Sequence, residues 1–363
     1  MDIREIASHF EICGDYLQSE RYGSGHINDT FLAVFNKGTE QVKYIIQRIN
    51  TNIFKQPEQL MENISRVLNH SKQKLAGRKD AERRALTIIK THDGKPFYVD
   101  TDGKYWRAYL FIDHARTYDV LESPDFAYQA ARAFGSFQML LADIPGGRLY
   151  ETIPNFHNTP SRIADFDKAL AADVMGRAAS AKAEIEFVQS HRKMASRLLD
   201  LQAAGKIPER ITHNDTKINN VMLDDDTGEG ICVIDLDTIM PGISLYDFGD
   251  LVRTSTSPAA EDEKDLSKVY ARMEMFEALA RGFLEGAGDC LTPAEIENMP
   301  FSGELITFEI GVRFLTDYLD GDKYFKTKRE GHNLDRCRTQ FKLVQSLEAQ
   351  EDKMNEIMKG LVK

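Results

Sequence analysis

Residues 212–238 constrain this chain more than any other stretch. His213-Asn214-Asp215-Thr216-Lys217-Ile218-Asn219-Asn220 reads as H-x-D-x-x-x-x-N, a carboxylate five residues ahead of a carboxamide. Apolar Val221-Met222-Leu223 follows, then an acidic turn, then Cys232-Val233-Ile234-Asp235-Leu236-Asp237-Thr238, an apolar run that ends in acids. The alternation predicts a polar loop, two short buried strands joined by a turn, and a carboxylate delivered at the end of the second. Phosphoryl transfer needs these parts. Asp215 is the candidate base for an attacking hydroxyl, while Asn220 and Asp235 are candidate ligands for Mg²⁺ ions that bridge phosphates. Lone H-x-D pairs are common in loops, and a polar turn with a charged strand end is the plain alternative. The full spacing followed by the apolar-acid run carries the inference.

At 363 residues the chain exceeds the size at which a single core usually divides, so two lobes are expected, 1–113 and 114–363. A net charge of −11 argues against general nucleic-acid binding, which wants a basic footprint, and is compatible with a cationic acceptor. Cys13, Cys232, Cys290 and Cys337 form no C-x-x-C pair and read as free thiols of a reducing compartment. The acidic start, Met1-Asp2-Ile3-Arg4-Glu5, has no apolar signal core, and no uncharged apolar run approaches the roughly 20 residues of a membrane span. The expectation is a cytoplasmic protein acting on a small molecule, with no nucleic acid, no membrane and no obligate protein partner.

The first third reads mainly as strands. After a stretch with helical apolar spacing at 2–12, Tyr22-Gly23-Ser24-Gly25-His26-Ile27-Asn28 leads into the strand-like Thr30–Phe35. Glycines there would let backbone amides approach phosphate oxygens, so Gly23, Gly25, His26 and Asn28 are candidate nucleotide contacts; a simple hairpin turn is the alternative. Val42–Ile49 is the next strand. A kinase-like fold carries a phosphate-binding Lys there, but the place holds Gln47, flanked by Lys43 and Arg48. Arg48 is the candidate cation, although strand alternation turns it away from Gln47 unless a bulge intervenes. Residues 57–76 predict an amphipathic helix starting at Pro57, with Glu62 either a helix acid that braces a cation or, as the plainer reading, a solvated side chain. Asp93-Gly94 and Asp102-Gly103 predict hairpins between Leu86–Lys90, Phe97–Asp100 and Tyr105–Ile112. Backbone at Ile112, where the last run leaves the lobe, is the candidate adenine contact; a plain core strand is the alternative.

From Ser123-Pro124 the pattern turns helical. Helices are expected at 126–141, 161–173, 176–203, 261–286, 303–319 and 333–361, with a capping box at Thr292-Pro293-Ala294-Glu295. Asp224-Asp225-Asp226-Thr227-Gly228 lacks calcium-loop spacing and reads as a solvated turn. Tyr246-Asp247-Phe248-Gly249-Asp250 opens another helix a dozen residues past Asp235, which leaves no room for a long activation segment and favours a small-molecule acceptor. Asp247 and Asp250 read as braces of the catalytic loop or helix caps rather than metal ligands.

Together these features resemble the aminoglycoside phosphotransferase and choline kinase superfamily. The resemblance implies an α+β, two-lobed protein-kinase-like fold, with a strand-rich N-terminal lobe, a mainly helical C-terminal lobe and ATP between them. Gln47-Arg48-Ile49-Asn50-Thr51-Asn52-Ile53-Phe54, Thr212–Lys217, Ile234–Gly242, Phe301-Ser302-Gly303 and Arg313–Leu319 are similar to the branch that phosphorylates N-acetylhexosamines. That branch implies Mg²⁺-dependent transfer of the ATP γ-phosphoryl to the anomeric hydroxyl of N-acetylglucosamine or N-acetylgalactosamine. Such a neutral acceptor calls for hydrogen-bonding groups, and Thr238, Arg313 and Tyr324 are the candidates, besides Asp215 itself. For Arg313 the bland alternative is a salt bridge to Glu309 or Asp317, one helical turn away. The rival functions are a kinase of a cationic alcohol and a nucleotide-binding pseudokinase.

Overall fold

The computed structural model describes residues 2–23, 27–118 and 123–362. The chain forms two compact units. The first comprises residues up to Arg116 with 143–154 and 222–240, and the second takes 117–142, 155–221 and the remainder from Pro241.

The first unit is built on an antiparallel sheet of β1 (Asp15–Arg21), β2 (Asp29–Lys37), β3 (Glu40–Arg48), β4 (Ile88–Ile89), β5 (Tyr98–Val99) and β6 (Tyr105–Leu110). Its order is β1-β2-β3-β6-β4, with β5 also paired to β6. Strand alternation divides the sheet into two chemically different faces. On one, Ala33, Phe35, Tyr44, Ile46, Trp106 and Ala108 pack against Ile3, Ile6, Ala7 and Phe10 from the region of helix α1 (Ile3–Ala7). On the other, Gln47 stands opposite Thr30 on β2 and Arg107 on β6. The helix expected over 2–12 stops at Ala7, because the chain then bridges Phe10 to Thr91.

Asp102-Gly103 makes the hairpin between β5 and β6. Asp93-Gly94 does not join β4 to β5 as a pair; both lie along β6, opposite Tyr109 and Trp106 respectively. The turn between them is shaped by Thr91, whose hydroxyl bonds Asp93 and the Lys95 carbonyl. Helix α2 (Pro57–Lys74) buries Leu60, Met61, Ile64, Val67 and Leu68 and leaves Glu62 exposed, as its periodicity requires. Arg83 and Arg84 of α3 (Ala81–Arg84) tie down the later hairpin through Asp224, at 2.8 Å, and Glu229, at 2.9 Å. That hairpin, β9 (Val221–Asp224) and β10 (Gly230–Val233), adds to β7 (Ala115–Arg116). Its turn is closed by Asp224, which accepts from the amides of Asp226 and Thr227.

The second unit is helical apart from the short strand β8 (Arg210–Thr212), which pairs with β11 (Met240–Gly242). Its helices are α4 (Pro124–Leu141), α5 (Thr159–Ala172), α6 (Lys182–His191), α7 (Arg197–Ala203), α8 (Ser244–Ser255), α9 (Met273–Ala287), α10 (Pro293–Glu297), α11 (Met299–Leu319), α12 (His332–Glu348) and α13 (Glu351–Leu361). Helices α4 and α9 approach backbone to backbone. A Cβ on Gly282 would lie 2.3 Å from the Tyr128 carbonyl, and one on Gly286 2.2 Å from that of Arg132. The capping box at Thr292 and Glu295 is present.

Three expected helices are shorter or divided. The one over 176–203 becomes α6 and α7, where Ser190 and His191 bond back to the Phe187 carbonyl and compete with continued helix. The one over 261–286 begins only at Met273, because Asp265 captures the Ser267 amide and hydroxyl in a local turn. The stretch 333–361 breaks between α12 and α13, where Gln350 reaches back to the Ala271 carbonyl. Among the described residues, no helix is long and apolar enough to cross a membrane.

Candidate active site

In the second unit, β8 runs directly into the polar loop. Asn214 adopts a left-handed conformation, φ +64°. Its side chain closes on Thr212, accepting from the hydroxyl at 2.9 Å and donating to the carbonyl at 3.1 Å. Asp247, fully buried on α8, accepts from the His213 amide at 3.0 Å, the Asn214 amide at 2.7 Å and the Gln138 side chain of α4 at 2.5 Å. The Thr216 hydroxyl donates to the Asp247 carbonyl at 2.6 Å. Asp247 is therefore a brace of the loop. Burial pushes its carboxyl up, and the charge and amide of His213 oppose that shift.

A second support comes from behind. His157 spans from Glu309 Oε1, 2.8 Å from Nδ1, to the Asn214 carbonyl, 3.0 Å from Nε2. Only an Nε2–H can serve a carbonyl, so the imidazole shares a further proton with Glu309 across the Nδ1 contact. Glu309 is sealed from solvent; burial alone would raise its carboxyl, yet the His157 charge, followed by Arg313, holds it below the ordinary range.

This scaffold leaves the Asp215 side chain 23% exposed, with Lys217 Nζ 2.9 Å from Oδ1. Burial works to raise Asp215, but Lys217, His213 and Arg253 together keep the carboxyl below its usual range. Asp215 is thus an ionised base near neutral pH. Asn220 turns Nδ2 to the Asp215 carbonyl, at 2.7 Å, and to Oδ2, at 3.3 Å. Its Oδ1 makes no hydrogen bond among the described residues, so a hard oxygen donor is presented beside the base.

In the first unit, Asp235 follows β10 in a left-handed conformation, φ +57°, a strained choice for a non-glycine residue. Thr238 is buried three residues on. No group of three or more His, Cys, Asp or Glu side chains gathers as a metal site among the described residues. Asp235 by itself offers a carboxylate oxygen of the kind Mg²⁺ accepts, and this ion typically completes its sphere with phosphates and water.

Gly23 lies at φ +79°, where a side chain would be strained, and Gly25 and His26 fall outside the described residues. Asn28 donates to Asp237 at 2.5 Å and accepts from the Asn50 amide at 3.0 Å. The register of β3 with β2 and β6 is continuous, so the bulge that would turn Arg48 toward the Gln47 face is absent; Arg48 is ion-paired to Asp29 instead. Lys43 pairs with Asp113 at 2.7 Å. The cation beside Gln47 is Arg107, which donates Nε to Gln47 at 3.0 Å and NH1 to Asp237. Burial works against its charge, while Asp237 and other nearby groups hold its pKa above the ordinary value. Ile112 packs into a small cluster with Met222, Ile231 and Cys232, and its backbone makes no hydrogen bond among the described residues.

Back in the second unit, Arg313 and Tyr324 come together. The Arg313 guanidinium lies 5.2 Å from the Phe156 ring centre, 5.6 Å from Phe325 and 5.8 Å from Tyr324. It forms no salt bridge to Glu309 or Asp317 among the described residues. Glu309 is engaged by His157 and Thr159, and Asp317 by the amides of Lys323, Tyr324 and Phe325. The salt bridge of the bland reading is therefore not formed among the described residues, although the Arg313 charge still acts on Glu309.

His157, Lys217, Arg107 and Asp237 went without assigned roles in the sequence. Arg107 did carry a signal: a charge inside the apolar run Tyr105–Leu110 demands a buried counter-charge. His157 carried none, because its partners lie 57 and 152 residues away.

A model of the phosphotransferase enzyme family matches residues 19–285. The fold is shared with a spectinomycin phosphotransferase solved with ADP and spectinomycin, at 16% identity and TM-score 0.56 over 96% of this chain and 97% of that one. It is also shared with a choline kinase from Cryptosporidium parvum Iowa II, at 14% identity, TM-score 0.55, and 99% and 97% coverage. An ethanolamine kinase from Plasmodium vivax aligns at 18% identity and TM-score 0.54, covering 89% and 82%.

Proposed function

Because the chain belongs to the phosphotransferase enzyme family, we propose that it is an N-acetylhexosamine 1-kinase. It transfers the γ-phosphoryl of ATP to the anomeric hydroxyl of N-acetylglucosamine or N-acetylgalactosamine. The observation that carries the acceptor assignment is the half-buried guanidinium of Arg313, in no salt bridge among the described residues and ringed by Phe156, Tyr324 and Phe325. Three aromatic rings around a point would suit a quaternary ammonium, but here a protein cation already occupies them. A second cation would be repelled. A neutral sugar offers hydroxyl and acetamido oxygens to the same donors.

In this reading Asp215 takes the proton of the anomeric hydroxyl as its oxygen bonds to the γ-phosphorus and the bond to the β,γ-bridging oxygen breaks. Lys217 keeps that carboxylate ionised for the task. Asn220 and Asp235 would hold Mg²⁺, which when bound would supply charge neutralisation for the transferring phosphoryl group. Gly23, Gly25, His26 and Asn28 would contact the phosphates, and the backbone of Ile112 would take the adenine. Thr238 and Tyr324 join Arg313 in binding the sugar.

The test is incubation with Mg-ATP and a panel of N-acetylhexosamines, unmodified hexoses, choline, ethanolamine and aminoglycosides, with the phosphate located by NMR. A 1-phosphate formed from N-acetylhexosamines in preference to the others supports the assignment. Preferred phosphorylation of choline or an aminoglycoside removes it.

A further inference from the structure

Arg107 is a charge in the middle of a strand whose neighbours Trp106 and Ala108 enter the hydrophobic core, and it is only 1% exposed. A guanidinium so enclosed does not reach a nucleotide phosphate, so it does not replace the absent strand Lys by contact. Its partners show what it does instead. NH1 pairs with Asp237 Oδ1, Nε bonds Gln47, and Gln47 donates to Thr30 at 2.9 Å. The second oxygen of Asp237 takes the Asn28 side chain at 2.5 Å, and Asn28 in turn holds the Asn50 amide. One buried carboxylate, two residues past Asp235, therefore joins three things: the centre of the sheet, Asn28 just ahead of β2, and the strained turn at Asp235.

We propose that Arg107 and Asp237 form a positioning pair that holds Asp235 in its left-handed conformation and anchors Asn28 ahead of β2. Metal binding and nucleotide binding would then share one support, built on β6 rather than on β3 and a helix acid. Glu62 of α2 is exposed, in keeping with this. The inference rests on the reading of Asp235 as a Mg²⁺ ligand.

The experiment removes the whole pair, with Arg107→Met and Asp237→Leu together, because an apolar pair leaves no lone charge buried. Mn²⁺ serves as probe: its free concentration is followed by EPR in the presence of a non-hydrolysable ATP analogue, with folding checked by circular dichroism. Loss of an outer support of a metal ligand typically weakens metal affinity about 10–100-fold, and that is the expected result. The KM for sugar stays near wild type, while kcat falls. Asp235→Ala is measured alongside. If it loses Mn²⁺ and the folded double variant binds Mn²⁺ and nucleotide like wild type, the positioning role is overturned and the metal assignment stands. If Asp235→Ala binds Mn²⁺ like wild type, the metal assignment falls and takes this inference with it. Should the double variant not fold, Asn28→Ala, which unpairs no charge, decides the matter. Weaker Mn²⁺ binding in the absence of nucleotide supports the shared anchor, and wild-type Mn²⁺ affinity overturns it.

Discussion

Two acid-bearing loops in this chain are held by opposite electrostatic means. The loop that presents Asp215 is fixed by Asp247 through neutral donors, two backbone amides and the Gln138 amide, with no full cation in hydrogen-bond contact. The turn that presents Asp235 is followed by Asp237, which faces the full charge of Arg107. Amide bonds are directional, so the Asp247 brace dictates the backbone orientation at His213 and Asn214. An ion pair tolerates more angular freedom but pulls two elements together, here β6 and the turn after β10. A base must be aimed at one proton, whereas a metal ligand must chiefly stay within coordination reach. In the proposed roles, Asp215 as base and Asp235 as metal ligand, each support matches the demand on the group it carries.

That comparison breaks or sharpens at four places. The largest expected effect is at the aimed base. Asp215→Asn keeps the shape but cannot accept the proton, so kcat falls on the order of 10²–10⁴-fold while nucleotide affinity changes little. Steady-state kinetics with a binding titration would show this, and near-wild-type turnover would remove Asp215 from the role.

Next comes the amide brace. Asp247→Ala strands two buried amides at roughly 1–3 kcal/mol each, so the denaturation midpoint should drop steeply. Asp247→Asn keeps one acceptor oxygen and should lose less. Equal stability of both variants and the wild type would mean the loop is not held by Asp247.

A smaller effect is expected where no acid brace exists. Arg313→Ala should raise the KM for N-acetylhexosamines on the order of tenfold and leave the KM for ATP nearly constant. Unchanged sugar kinetics with lowered stability would return Arg313 to a purely structural role.

The smallest effect tests a buried carboxylate with neither device. Glu304 on α11 has no ion pair or hydrogen bond among the described residues, and burial, with Glu351 and Glu348 nearby, pushes it up to about 8 from 4.5. The folded chain then keeps a proton that the unfolded chain releases between those values, so this group's contribution to stability declines as pH rises from about 4.5 to 8 and is level above. Thermal melts of wild type and Glu304→Gln across that window should converge at acid pH and separate by a few degrees toward pH 8. Parallel profiles would show that Glu304 is not protonated in the folded state.

The sequence was legible wherever chemistry and spacing coincided locally. H-x-D-x-x-x-x-N placed Asp215 and Asn220 on one loop, and alternation read the sheet and turned Arg48 away from Gln47. What stayed hidden was partnership at a distance. Nothing near Asp247 announces Gln138, more than a hundred residues earlier, and nothing near Asn214 announces His157. Helix ends were misjudged for a related reason: Asp265, Ser190 and His191 bond their own backbone, a local competition that apolar periodicity does not register. The family match and shared fold confirm the two-part, kinase-like architecture, and leave the acceptor to be decided at Arg313.

The glycines of α9 carry a consequence for how this enzyme tolerates change. Gly282 and Gly286 let the backbone of α9 rest on that of α4, and α4 carries Gln138, a partner of Asp247. A single added methyl at either glycine meets a carbonyl oxygen, not a movable side chain, so the clash is relieved only by sliding a whole helix. Gln138 would travel with it. Screens for altered activity should therefore find losses at positions remote from any reacting atom and bearing no functional group at all, where the smallest residue sets the tolerance of the loop that aims the base.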